Sequence, residues 1–198
     1  NLDWLIKMDK DLYHQKLLAH YISNWGQYYE VLTWEKGPYR DLGDHFRVLE
    51  FPPTPERNMW AYATLGMSCF EDEFALELHI FSGEQDQTLA ESLIVVAHFH
   101  RFGSRLGHWH TINWGRGWRL DSSCSYGLIS LPYLGGPELE VLTLEDNRSV
   151  HFYWLVPITE DELAFKREYG AEKLEEIFEE RGVDYLDPFR DNIINFKN

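Results

Sequence analysis

The hydrophobic period of this chain changes along its length, and that pattern restricts the folds open to it. Near the start, Tyr13, Leu17 and Tyr21 recur at helical spacing with Leu18, Ile22 and Trp25 beside them. This predicts a helix over about residues 9–25, stopped by Gly26. Strand-like segments follow at Phe46–Phe51, Trp60–Ser68 and Phe74–Phe81. In the last of these, Phe74, Leu76, Leu78 and Ile80 alternate with Ala75, Glu77 and His79, so a hairpin through Glu71-Asp72-Glu73 with one buried face is expected. A second helix is predicted over Asp86–Phe102, with Leu89, Leu93, Val96 and Ala97 along one side.

Further strands are expected near His110–Trp114, Tyr126–Leu131, Leu139–Leu144 and Val150–Val156, the last two joined by the polar turn Glu145-Asp146-Asn147-Arg148. From Thr159 the helical period returns. Thr159 with Glu162 has the spacing of a capping box, Gly170 separates a first helix from one over Ala171–Arg181, and Gly182 suits a left-handed stop with Val183 folding back on Phe178. Runs of strands with helices at the ends argue for an α+β fold: a central mixed or largely antiparallel β-sheet flanked by helices. Neither a repeat nor a long Gly/Ser linker interrupts residues 1–198, so a single domain is expected. Aromatics make up 16% of the chain, more than surfaces need, and most are assigned to the core.

The formal net charge is −15, which argues against nucleic acid or an anionic membrane as partners, because both are bound through cations. The same field favours a basic protein partner. Much of it is local. Between Thr159 and Asp187 eleven acidic residues face four basic ones, and Glu172, Glu176 and Glu180 form one stripe with Glu175 and Glu179 beside it, opposite Leu174, Ile177 and Phe178. Two cysteines, Cys69 and Cys124, fit free thiols in a reducing compartment. With no secretory pattern at Asn1 and no apolar run of membrane length, a cytoplasmic location is expected; the first residue is not Met, so the true N-terminus is left open.

The sharpest enzyme lead is His98, His100, His108 and His110. On a helix, residues two apart point about 200° apart, so His98 and His100 cannot hold one ion. His108 and His110 share a face of a strand, yet two ligands are too few, and no Asp or Glu lies between Phe99 and Leu120. No nucleophile elbow, P-loop or dinucleotide motif is present. The expectation is a non-catalytic protein with neither cofactor nor metal. The alternatives are a metal-dependent enzyme using His108 and His110 with distant ligands, and a regulatory adaptor.

Several segments, taken in order, resemble the suppressor-of-fused family. Trp60-Ala61-Tyr62-Ala63-Thr64-Leu65-Gly66-Met67-Ser68 is similar to its Y-x-T-L-G-M-S signature, and Glu77-Leu78-His79-Ile80 to the strand that follows. His110-Thr111-Ile112-Asn113, Gly127-Leu128-Ile129-Ser130-Leu131-Pro132-Tyr133, Val156-Pro157-Ile158-Thr159 with Glu162-Leu163, and Asp184-Tyr185-Leu186-Asp187-Pro188-Phe189-Arg190 extend the resemblance over about residues 46–190. It implies an α+β fold like the N-terminal lobe of the family, and a role in binding proteins. Single-lobed bacterial members are associated with immunity against polymorphic toxins, many of them nucleases, so a basic toxin is the implied partner. Thr64, Gly66 and Met67 are expected to serve fold geometry. Asp187 and Arg190 are expected to pair locally around the turn made rigid by Pro188. Tyr62, His79, Trp114 and Tyr133 are the candidates for an aromatic partner groove, with Glu172, Glu176 and Glu180 as the electrostatic surface.

Overall fold

The computed structural model describes residues 2–194, and their side chains from Lys10 onward. The chain folds as two compact units. The first comprises the chain up to Gly107 together with Leu131–Trp154; the second comprises His108–Ser130 and Leu155 onward.

In the first unit, helix α1 (Leu2–Trp25) leads into the strands β1 (Glu30–Leu32), β2 (Arg47–Phe51), β3 (Trp60–Leu65) and β4 (Ala75–Ser82), each antiparallel to the next. Helix α2 (Thr88–Phe102) follows. Strand β8 (Ser149–Ile158) lies parallel to β4, pairing Ala75 with Val150 through to His79 with Trp154, and β7 (Val141–Thr143) is its antiparallel hairpin partner. The sheet is therefore mixed and mostly antiparallel, as expected for the α+β class.

All eight residues of β4 are buried, which corrects the expectation of one covered face. The side chains of His79 and Phe81 pack on Trp25 of α1, while α2 also packs on β4. With a helix on each side, the strand reads as continuously apolar except where a polar group is satisfied internally. Phe74 stands just outside the strand and is exposed. Fewer than half of the described aromatics go inside, although Tyr21, Phe46, Phe51, Tyr62, Phe81, Phe152 and Trp154 are all fully buried. Each contributes roughly 1.5–3 kcal/mol of burial, alongside a larger number of buried aliphatic side chains.

In the second unit, β5 (Thr111–Asn113) pairs antiparallel with β6 (Tyr126–Ser130), and β6 neighbours β8, which runs on to Ile158. Helix α3 (Glu160–Tyr169) starts at a complete capping box: the Thr159 hydroxyl accepts from the Glu162 N–H and the Glu162 carboxylate accepts from the Thr159 N–H. Gly170 ends α3, and α4 (Ala171–Arg181) packs against it with Leu174, Ile177 and Phe178 buried. Gly182 takes the left-handed conformation (φ 60°, ψ 53°), and the Val183 N–H returns to the Phe178 carbonyl.

No helix among the described residues is long and apolar enough to cross a membrane.

Candidate protein-binding surfaces

Glu77 of β4 is wholly buried and forms no ion pair among the described residues. Its Oε2 accepts from the Thr64 hydroxyl (2.6 Å) and the Met67 N–H (3.1 Å); its Oε1 accepts from the Ser68 N–H (3.0 Å) and the Ser68 hydroxyl (2.6 Å). Each hydroxyl thereby uses its one proton, so Thr64 accepts from the Leu78 N–H and Ser68 accepts from the Tyr13 phenol. Burial pushes the Glu77 carboxyl up to about 7, against the pull of these donors. Gly66 makes the turn possible: its φ is +86°, and a Cβ there would lie 2.6 Å from His14 Nε2 and 3.0 Å from the His45 carbonyl oxygen. Arg101 of α2 fastens the same turn by donating to the carbonyls of Leu42, Gly66 and Met67. The signature-like segment is thus a cage for a carboxylate.

Two candidates for the partner groove need correction. Tyr62 and His79 are fully buried, because helices cover both faces of the strands that carry them. The Tyr62 hydroxyl accepts from the Asp86 N–H, and His79 sits edge-on to Trp25 with no hydrogen bond to either ring nitrogen. Burial pulls the His79 pKa down to about 3, so the ring packs as a neutral aromatic. Tyr133 does face solvent at the rim of a shallow pocket shared with Leu131, Pro132, Pro137 and Glu140.

In the second unit, the Arg190 guanidinium meets the Glu162 carboxylate, and Arg190 reaches Asp187 only through its backbone N–H to the Asp187 carbonyl. Its Nη1 and Nη2 donate to the two carboxylate oxygens at 2.6 and 2.7 Å, and Nη2 also donates to the Pro157 carbonyl. Both side chains are buried. Burial pulls the Arg190 pKa down, but the bonds to Glu162 and its charge outweigh that and leave it raised. Asp187 instead accepts from the Phe189 N–H, and the Pro188 carbonyl accepts from the Ser122 hydroxyl. The side-chain pair between Asp187 and Arg190 does not form because the capping box places a fully buried carboxylate within reach of the guanidinium.

The exposed acidic stripe forms as expected. Glu172, Glu176, Glu179 and Glu180 face solvent on α4, with Glu176 paired to Lys173. Glu175 turns inward enough to take two donors, the Ser130 hydroxyl and the Trp109 indole N–H (3.1 Å). Trp109 is the residue that the sequence reading missed. It holds a left-handed backbone (φ 65°) unusual for an aromatic, its backbone N–H donates to the Ile129 carbonyl, and the residue is 37% exposed. Trp114 is half-buried against Gly127, where a Cβ would meet its ring at 3.0 Å.

His98 and His100 lie on different sides of α2, as helix geometry requires. His98 pairs with Asp41, whereas His100 is buried and accepts from the Leu106 N–H. Burial, with Arg105 adding to it, lowers His100 to about 4. Among the described residues no three His, Cys, Asp or Glu are grouped to hold a metal ion.

The family model for Suppressor of fused protein (SUFU) matches residues 43–191. Among solved structures, one described as a SUFU homolog from Neisseria gonorrhoeae FA 1090 has a TM-score of 0.79 at 33% identity, over 93% of this chain and 98% of that one. The Sufu–Fu complex gives 0.65 at 16% identity, over 89% of each chain. Drosophila Suppressor of Fused gives 0.65 at 15% identity, over 94% of this chain and 51% of its own. No curated protein matches in sequence.

Proposed function

This chain belongs to the suppressor of fused family, and from that premise we propose that it is a non-catalytic protein-binding module that docks a basic partner on the second unit. The observation that carries this reading is the Trp109–Glu175 hydrogen bond, which joins an exposed, strained aromatic to the acidic helix. Glu172 and Glu179 lie three and four residues from Glu175 and so share its flank of α4. A rigid aromatic beside unpaired negative charge combines a hot-spot anchor with a steering field. A solved relative is itself a complex of Sufu with Fu.

The partner is a basic toxin, neutralised in a bacterial cytoplasm by stoichiometric binding. Support for this comes from the resemblance to single-lobed bacterial members and from the net charge of −15, which suits an inhibitor of a protein with a basic groove. The test is co-purification of the untagged chain from its native host, followed by stopped-flow association with the recovered protein. Triple substitution of Glu172, Glu176 and Glu179 by Gln is expected to slow association roughly tenfold at low salt and flatten its salt dependence. Trp109→Ala is expected mainly to speed dissociation. Recovery of a bound small molecule and no protein, or kinetics untouched by all four substitutions, would overturn the proposal.

A further inference from the structure

Helix α2 is apolar on both of its faces. Leu89, Leu93, Val96 and Ala97 are buried where it packs on β2, β3 and β4. On the side turned to solvent stand Val95, Phe99 and Phe102, at 50%, 43% and 57% exposure. A helix that buries one face on a sheet ordinarily presents polar and charged residues on the other, so this outer stripe departs from the pattern of a surface helix. Thr88, Glu91, Val95, His98 and Phe102 follow one another at spacings of three, four, three and four residues, with Phe99 beside them. That is the repeat of a seam between two helices.

The two ends of the stripe carry opposite charge. Glu91 lies in the first turn of α2, exposed and with no hydrogen bond or ion pair among the described residues. Arg105 stands just past the end of the helix, also exposed, and its ion pair with Asp72 is long at 3.5 Å. Although the net charge is −15, no Asp or Glu occurs from Ser92 to Leu120. The stripe and its basic end are thus a surface that a second acidic molecule can approach without meeting like charge. From Glu91 to Arg105 the order is acid, three apolar residues, base, and run backwards this order complements itself. About a twofold axis beside Phe99, Val95 lies over Phe102 of the second copy, Phe99 over its own counterpart, and Glu91 over Arg105. A foreign partner would match this symmetry only by coincidence.

From this self-complementary pattern we infer that α2 is a dimerisation seam, on which a second copy of this chain packs its own α2 antiparallel. The two apolar stripes cover each other, the two Glu91–Arg105 pairs close the ends, and the opposed helix dipoles add to the attraction. Helix α2 has 15 residues and is about 22 Å long. One seam of that length buries less than the ~1,200–2,000 Å² of a stable interface, so the dimer is weak and concentration-dependent. The inference goes beyond the protein-binding reading, which concerns the second unit, and stands or falls separately from it.

Sedimentation equilibrium of the intact chain from about 5 to about 500 µM tests it, in ~0.15 M salt so that repulsion between two acidic molecules is screened beyond ~8 Å. A monomer–dimer equilibrium is expected, with a dissociation constant on the order of 10–100 µM. Phe99→Glu, at an exposed position, is expected to weaken it at least about tenfold and to leave the urea midpoint in place. Glu91→Arg and Arg105→Glu are each expected to weaken self-association at least about threefold. An equimolar mixture of these two variants is expected to pair again, because the reversed charges then meet across the axis. A monomer at every concentration, a dimer that survives Phe99→Glu, or a mixture of the charge variants that pairs no better than either alone would overturn the inference.

Discussion

Glu77 in the first unit and Glu162 in the second are both completely buried, and the two solve the problem differently. Glu77 is held by four neutral donors, whereas Glu162 is clamped by a bidentate guanidinium, the Thr159 N–H at the start of α3 and the Ile193 N–H of the C-terminal segment. A neutral cage leaves the charge uncompensated, so burial raises the Glu77 carboxyl toward neutrality. An ion pair removes the net charge but makes each partner hostage to the other. The first arrangement locks a turn between two strands; the second ties the C-terminal segment to a helix start.

The comparison predicts that the clamp is the more fragile of the two. Arg190→Met leaves Glu162 buried without a cation and is expected to cost about 3–5 kcal/mol in urea unfolding. Adding Glu162→Gln should restore much of that loss, and failure to do so would mean that the guanidinium matters through its other contacts. In the cage, Gly66→Ala combines an unfavourable φ with contacts at 2.6 and 3.0 Å, and about 2–3 kcal/mol of destabilisation is expected in the same assay.

The charge states can be separated by pH. With its carboxyl raised to about 7, Glu77 binds a proton more readily in the folded chain than in the unfolded one. Its stabilising contribution is therefore complete below the unfolded carboxylate range and is lost as pH rises through about 7. His79 and His100, lowered to about 3 and about 4, act in the opposite sense: they contribute fully above about 6.5, and that contribution is lost as pH falls below it. Glu77→Gln should steepen the acid loss between pH 4.5 and 6.5 by up to about 1.4 kcal/mol per pH unit, measured as urea stability against pH. An unchanged slope would mean that the four donors hold Glu77 ionised throughout. The smallest effect is expected on α4, where Glu172→Gln, Glu176→Gln and Glu180→Gln together should shift stability by under about 0.5 kcal/mol, because these carboxylates are exposed.

Much of this was legible beforehand. The capping box at Thr159 and Glu162, the left-handed Gly182, the Glu145–Arg148 turn and the solvent face of α4 are local features, governed by residues within a turn of one another. Glu77 carried a signal of its own, a charged residue alternating within an otherwise apolar strand, but nothing nearby indicated which donors would meet it. Tyr62 and His79 misled because an aromatic or histidine in a strand looks the same whether its face meets a partner or a helix. Trp109 carried no signal at all: its importance lies in a backbone conformation and in a bond to a residue 66 positions away.

Periodicity, capping and turn chemistry act over a few residues, so the sequence alone determined most of the elements, though not the short β1, together with the α+β class and the location of the acidic face. Which face of a strand is covered, which buried carboxylate finds a guanidinium and which edge is left unpaired depend on contacts between residues tens of positions apart. Burial makes those choices decisive, since a charge or polar group removed from water must be satisfied by whatever the fold brings beside it. That is why Arg190 meets Glu162 instead of its near neighbour, and why His79 became core.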